Sequence, residues 1–142
     1  MFTTRSITAI LTVATLMTSA TTAGAARQLA ACPQTPNCVS SQAVNGQHAI
    51  APFSYDDNAP MAWDRLRSAV LSQARTVIVE EDANYLHAEA RSRVFGFVDD
   101  VEFLLLPEEN IIHVRSASRT GYSDFGVNRR RVERMRRAFA GQ

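Results

Sequence analysis

The chain has 142 residues with fifteen basic side chains against fourteen acidic ones, a formal net charge of +1, and that length fits one domain. Every basic side chain apart from three histidines is arginine, and the charges are split: nine acids against two arginines over residues 80–109, then eight arginines against two acids over 115–142. This balance excludes the overall basic field of a nucleic-acid-binding protein, and the split reads as internal, an acidic strand pair facing a basic helix.

Arg5 closes a short positive segment, Ile7 to Met17 is apolar and dotted with threonine, and Ala23-Gly24-Ala25 supplies the small residues of a signal-peptidase site. Residues 1–25 therefore read as a removed signal peptide, and the mature protein as periplasmic or secreted. A membrane anchor needs about twenty apolar residues. Threonines and then Arg27 interrupt the run, so no transmembrane segment is expected after cleavage. Leu29-Ala30-Ala31-Cys32 has the look of a lipoprotein box that would tether the chain at an acylated Cys32. A polar stretch containing Arg27 separates it from the apolar run, and this position argues against it. Cys32 and Cys38 are the only cysteines; in an exported chain they are expected to pair rather than remain two free thiols.

Residues 26–58 are rich in Pro, Asn, Ser and Gln, and PQTPN, NGQ and DDNAP read as turns, so this is an extended arm stapled by the disulfide. Asp57 or Asn58 can cap a helix with Pro60 in its first turn. Trp63, Leu66 and Val70 then recur at helical spacing and predict a helix from about Ala59 to Ala74. Four strand-like runs follow: Thr76 to Glu81, Tyr85 to Arg91, Phe97 to Leu106 and Ile111 to Ser118. EDAN and PEEN turn the chain, and such short connections imply antiparallel neighbours. A last helix runs from about Asp124 or Phe125 to Ala140. Residues 59–142 are thus expected to form an α+β domain, a four-stranded antiparallel meander with two helices packed on one face.

Alternation assigns faces. Leu86, Ala88 and Ala90 point one way, with Tyr85, His87, Glu89 and Arg91 opposite; Ile112, Val114, Ser116 and Ser118 oppose Ile111, His113, Arg115 and Arg119. In the third run Phe97, Val101, Phe103 and Leu105 share a face with Asp99, while Asp100 and Glu102 lie on the other. An ionised carboxylate among phenylalanines costs several kcal/mol unless it is paired. In the last helix Phe125, Val132, Met135 and Phe139 form the apolar stripe, with Asn128 inside it and Arg131 at its edge. Asp99, Asn128 and Arg131 are therefore expected to form a buried polar network, with Arg131 or Arg119 approaching Asp99.

CPQTPNCVSS (Cys32 to Ser41), FGFVDDVEF (Phe95 to Phe103) and RSASRTGYSDFGVNRRRVE (Arg115 to Glu133) together resemble the bacterial and plastid domain-of-unknown-function family 1499. Three motifs in order cover nearly the whole mature chain. The resemblance implies no activity, but it marks Asp99, Asp100, Glu102, Arg115, Ser116, Ser118, Arg119, Gly121, Ser123, Asp124, Gly126, Asn128 and Arg131, with both cysteines, as motif positions.

Gly121 and Gly126 suit tight turns at the strand-to-helix corner, and Ser123 or Asp124 suits a helix cap. Arg115 and Arg119, near a helix N-terminus, can clamp a carboxylate or phosphate, or else Asp100 and Glu102 of the neighbouring strand. The stretch holding Arg115, Ser116, Ser118, Arg119, Ser123, Asp124, Asn128 and Arg131 is accordingly the expected ligand site. The first expectation is a non-catalytic binding or assembly module for an anionic small molecule, a lipid headgroup or an acidic segment of an envelope protein. The alternative is a hydrolase-like enzyme around Asp100, Glu102, His113 and Arg115. The serines stand in no nucleophile-elbow motif, and His48, His87 and His113 have no zinc-binding spacing. A metal site from His87, His113 and Glu102 is disfavoured, and neither metal nor cofactor is expected.

Overall fold

The computed structural model describes residues 27–141, and the expected signal peptide lies outside them. The elements in chain order are β1 (Cys38–Ser40), β2 (Phe53–Ser54), α1 (Ala59–Leu71), β3 (Thr76–Glu81), β4 (Tyr85–Arg91), β5 (Val98–Leu106), β6 (Ile111–Ser118) and α2 (Val127–Ala140). Asn58 caps α1 by accepting the Met61 amide at 3.0 Å, with Pro60 in the first turn where its missing N–H costs nothing. The helix buries Ala62, Trp63, Leu66, Ala69 and Val70, as the 3.6-residue period requires. It stops three residues before the expected Ala74, because Arg75 adopts a left-handed φ of 56° and turns the chain into β3.

The antiparallel meander β3-β4-β5-β6 forms with the expected faces. Leu86, Phe103 and Val114 lie opposite one another across β4, β5 and β6, as do Ala88, Val101 and Ser116, and then Ala90, Asp99 and Ser118. These rows face α1 and α2 and form the main core. Its aromatic centre is Phe53, which meets Phe103 and Phe139 edge to face at centroid separations of 5.7 and 5.5 Å.

Among the described residues the sheet has six strands rather than four. Both β1 and β2 come from the arm, and both pair antiparallel with the outer edge of β6, Val39 opposite Ser116 and Phe53 opposite Ile112. Strands of two and three residues show no alternation that a reader of the sequence can detect, yet they satisfy the backbone groups that an exposed edge strand leaves unpaired. The arm is therefore part of the domain's hydrogen-bonded frame. Cys32 is disulfide-bonded to Cys38, the first residue of β1. Upstream, the chain crosses the sheet face opposite the helices, where Leu29 packs on Tyr85 and Leu104 and the Arg27 guanidinium lies 3.7 Å from the Tyr85 ring centre.

Two expected core residues point outward. Phe97 precedes the first ladder pair of β5, Val98 with Arg91, and stands 54% exposed. Helix α2 begins at Val127, so Phe125 is not in its apolar stripe and is 87% exposed; Val132, Met135 and Phe139 form that stripe alone, with Asn128 and Arg131 buried beside them. Among the described residues no helix is long and apolar enough to cross a membrane.

Candidate functional site

Asp99 projects from the start of β5 toward α2, and Arg131 meets it at 2.5 Å through Nη2. Arg131 Nη1 donates to Asn128 Oδ1 at 2.7 Å and reaches Ser116 Oγ at 3.3 Å, while the Ser116 hydroxyl donates to the same Asn128 oxygen at 2.6 Å. The Asn128 amide nitrogen has three acceptors around its two hydrogens: the Asn37 carbonyl, Ser118 Oγ and Asp124 Oδ2, at 3.1, 3.0 and 2.8 Å. Asp124 also accepts the backbone amides of Gly126 and Asn128, compensating the first free N–H groups of α2. Asn37 in turn donates to the Gly121 carbonyl at 2.6 Å. Asp99, Ser116, Asn128 and Arg131 are all buried. This polar set ties arm, sheet, corner loop and helix together, and its members satisfy one another.

Arg115 and Arg119 lie on the other face of the sheet. Arg115 bonds Glu102 at 2.8 Å, and the Tyr85 hydroxyl donates to the second oxygen of the same carboxylate. Arg119 grips Asp100 with Nε and Nη2 at 2.9 and 2.8 Å and also reaches Glu89, while His87 Nε2 lies 2.7 Å from Asp100. The Arg119 fork and, after it, His87 hold the Asp100 carboxyl below the usual carboxylate range, against the opposing effect of burial. Burial and then the Glu102 carboxylate push the Tyr85 phenol up. The structure thus gathers Ser116, Ser118, Asp124, Asn128 and Arg131 on the helical side with Asp99, and places Arg115 and Arg119 with Asp100 and Glu102 behind it. His113 belongs to neither group: its Nδ1 sits 2.9 Å from Ser41 Oγ, which accepts the Val114 amide at 2.9 Å. Among the described residues no three His, Cys, Asp or Glu side chains converge as a metal site.

At the end of the sheet where β4 turns into β5, a cleft of 410 Å³ opens between that turn and the loop from β6 to α2. Its walls include Phe95, Phe97, Phe125 and Val127, with Asp99, Ser118 and Ser123 among its polar edges. Phe95 is 76% exposed and stacks on Phe97 at 5.5 Å. Phe125 holds a left-handed φ of 51°, a region in which a bulky side chain is strained. Three contacts keep it there: its amide donates to Ser123 Oγ at 3.2 Å, its carbonyl accepts from Arg130 at 2.8 Å, and Asp124 binds the Gly126 amide. Gly126 follows with φ 76°, so a side chain there would be strained as well. The corner loop is braced to present a phenyl ring outward.

The sequence pattern missed this cleft because Phe97 and Phe125 fit apolar periods that in fact end one or two residues away. Glycines 96 and 126 beside them were the available signal. Ser41 closes the CPQTPNCVSS motif, but nothing in its spacing pointed to His113.

A family model described as "Protein of unknown function (DUF1499)" matches residues 28–139 of this chain. No curated protein and no solved structure matches it.

Proposed function

The chain belongs to the DUF1499 family, a family of unknown function, and we propose that it is a non-catalytic binding module that recognises an apolar group in the phenylalanine cleft. One observation carries the proposal: Phe125 is held in a strained conformation and almost fully exposed at the mouth of a cleft walled by Phe95 and Phe97. Local strain and exposed aromatic surface both cost stability, and they coincide where a partner covers the surface. Within the stretch from Arg115 to Arg131, the groups facing the cleft come from the corner loop and from Ser118 and Val127 at its two ends, whereas Arg115, Arg119 and Arg131 are engaged by carboxylates of the same chain. The module is proposed to work outside the cytosol, in the periplasm or secreted, and the Cys32–Cys38 disulfide fits an oxidising compartment.

Phe125→Asn is the direct test, because asparagine tolerates a left-handed backbone. The variant should keep its melting temperature or gain about 1 kcal/mol of stability. Its binding of the neutral fluorescent probe N-phenyl-1-naphthylamine should weaken by about tenfold, the equivalent of losing one buried phenyl contact. Unchanged probe binding in Phe125→Asn and Phe97→Ser alike would remove the cleft from the proposal.

A hydrolase-like reading around Asp100, Glu102, His113 and Arg115 has one observation behind it, the Ser41–His113 pair. A serine nucleophile needs a base oriented by a third group. His113 has no carboxylate partner among the described residues, and the Ser41 oxygen already accepts the Val114 amide. A fluorophosphonate probe should therefore leave Ser41 unmodified, and covalent labelling detected by intact mass would favour the hydrolase.

A further inference from the structure

Beside the phenylalanine cleft, and sharing Ser92 and Val127 with it, lies a second cavity of 410 Å³. It is bounded by the α1–β3 turn, the end of β4 and the flank of α2 that carries Val127, Arg131 and Arg134. The charged side chains that line it are Arg75, Arg91, Arg93, Arg131 and Arg134, with no acidic side chain among them. Arg131 is committed to Asp99, and Arg91 reaches Glu89 at 3.2 Å. Among the described residues, the Arg75 side chain donates only to the Arg91 carbonyl. Arg93 and Arg134 meet no carboxylate among the described residues. Desolvation, and then the charges of Arg131, Arg130 and Arg137, lower the guanidinium of the exposed Arg134 from its ordinary value. An arriving anion would relieve that crowding.

The backbone adds an independent observation. Among the described residues, three that are not glycine have left-handed φ: Asn110, Arg75 and Phe125. Asparagine adopts this region readily, but arginine and phenylalanine do not. Arg75 lines one of the adjoining cavities and Phe125 the other, so the two strained bulky residues mark the two halves of one continuous surface.

We infer that the two cavities form a single site for an amphipathic anion, with a carboxylate or phosphate head among Arg75, Arg93 and Arg134 and an acyl or aryl chain across Phe97 and Phe125. Guanidinium groups suit such a head because they donate in forks that match its oxygens. Each cavity lies within the size range of small-molecule sites, roughly 300–1,000 Å³. This inference rests on the binding reading of the phenylalanine cleft and adds to it the charge and polarity of the ligand. The head belongs either to a free amphiphile or to an anionic lipid in a bilayer.

The test is calorimetric titration of the protein with dodecyl phosphate below its micelle concentration, beside dodecyl maltoside, which carries the same chain on a neutral head, and inorganic phosphate. Dodecyl phosphate should bind about tenfold or more tighter than either. The double variant Arg93→Ala/Arg134→Ala should lose that preference while retaining dodecyl maltoside binding, and Phe97→Ser should weaken both dodecyl compounds. Co-sedimentation with phosphatidylglycerol vesicles, abolished by the arginine pair, would place the head in a bilayer; dodecyl phosphate binding without co-sedimentation would place it on a free amphiphile. Equal binding of both dodecyl compounds, unaffected by the arginine variant, overturns the anionic head and leaves the apolar cleft standing. Inorganic phosphate binding as tightly as dodecyl phosphate separates the cavities and overturns the joint site. If neither dodecyl compound binds, the cleft reading falls as well.

Discussion

Asp99→Ala should destabilise the domain by about 3–5 kcal/mol, the usual cost of leaving one member of a buried ion pair without its partner. Arg131 would remain under the sheet with its strongest acceptor gone, and Asn128 and Ser116 can offer it only neutral groups. Asp100→Ala, one residue on and facing the other way, should cost about 1 kcal/mol or less, because its partner Arg119 has 43% of its side chain open to solvent. Urea melts of both variants check the order. The double variant Asp99→Leu/Arg131→Met should recover most of the loss, since apolar replacements for a buried pair are often neutral or better. An Asp99→Ala protein no less stable than Asp100→Ala would mean that the inward polar set does not hold α2 to the sheet.

Phe53→Ala should cost about 3–5 kcal/mol, as much as Phe103→Ala in the central strand. Phe53 comes from the arm, yet it is fully buried between Phe103 and Phe139, and the Arg136 guanidinium lies 4.4 Å from its ring centre. Removing the ring leaves a cavity at the junction of β2, β5 and α2 that neighbouring strands cannot collapse to fill. Val44→Ala, in the fully exposed part of the same arm, serves as the control and should change stability by less than about 0.5 kcal/mol. Thermal denaturation of the three variants decides whether residues 26–58 are integral to the fold. A loss at Phe53 as small as that at Val44 would return the arm to a peripheral role.

The meander and its faces were legible in the sequence because strict alternation over seven to nine residues leaves one way to bury an apolar row. The same logic exposed Asp99, Asn128 and Arg131 as polar groups on buried faces. Capping chemistry at Asn58 and Pro60 placed the start of α1. Two cysteines in a chain read as exported led to the disulfide. In each case the deciding groups are close in sequence, or the rule concerns solvent exclusion alone.

Other features depended on contacts between distant segments. β1 and β2 exist as strands because the edge of β6 is there to receive them. Phe97 and Phe125 satisfy apolar periods on paper but overhang the ends of their elements, where ladder and helix stop. The arginine-lined cavity draws Arg75, Arg93 and Arg134 from a turn, a hairpin and a helix, three places with no common spacing. Periodicity reports which side of its own element a residue occupies, and so it determined the core and its inward charges. Where one element ends against another is set by the packing of the whole chain, and that packing, with the left-handed turns at Arg75 and Phe125, alone decided which residues line the phenylalanine cleft and the arginine-lined cavity.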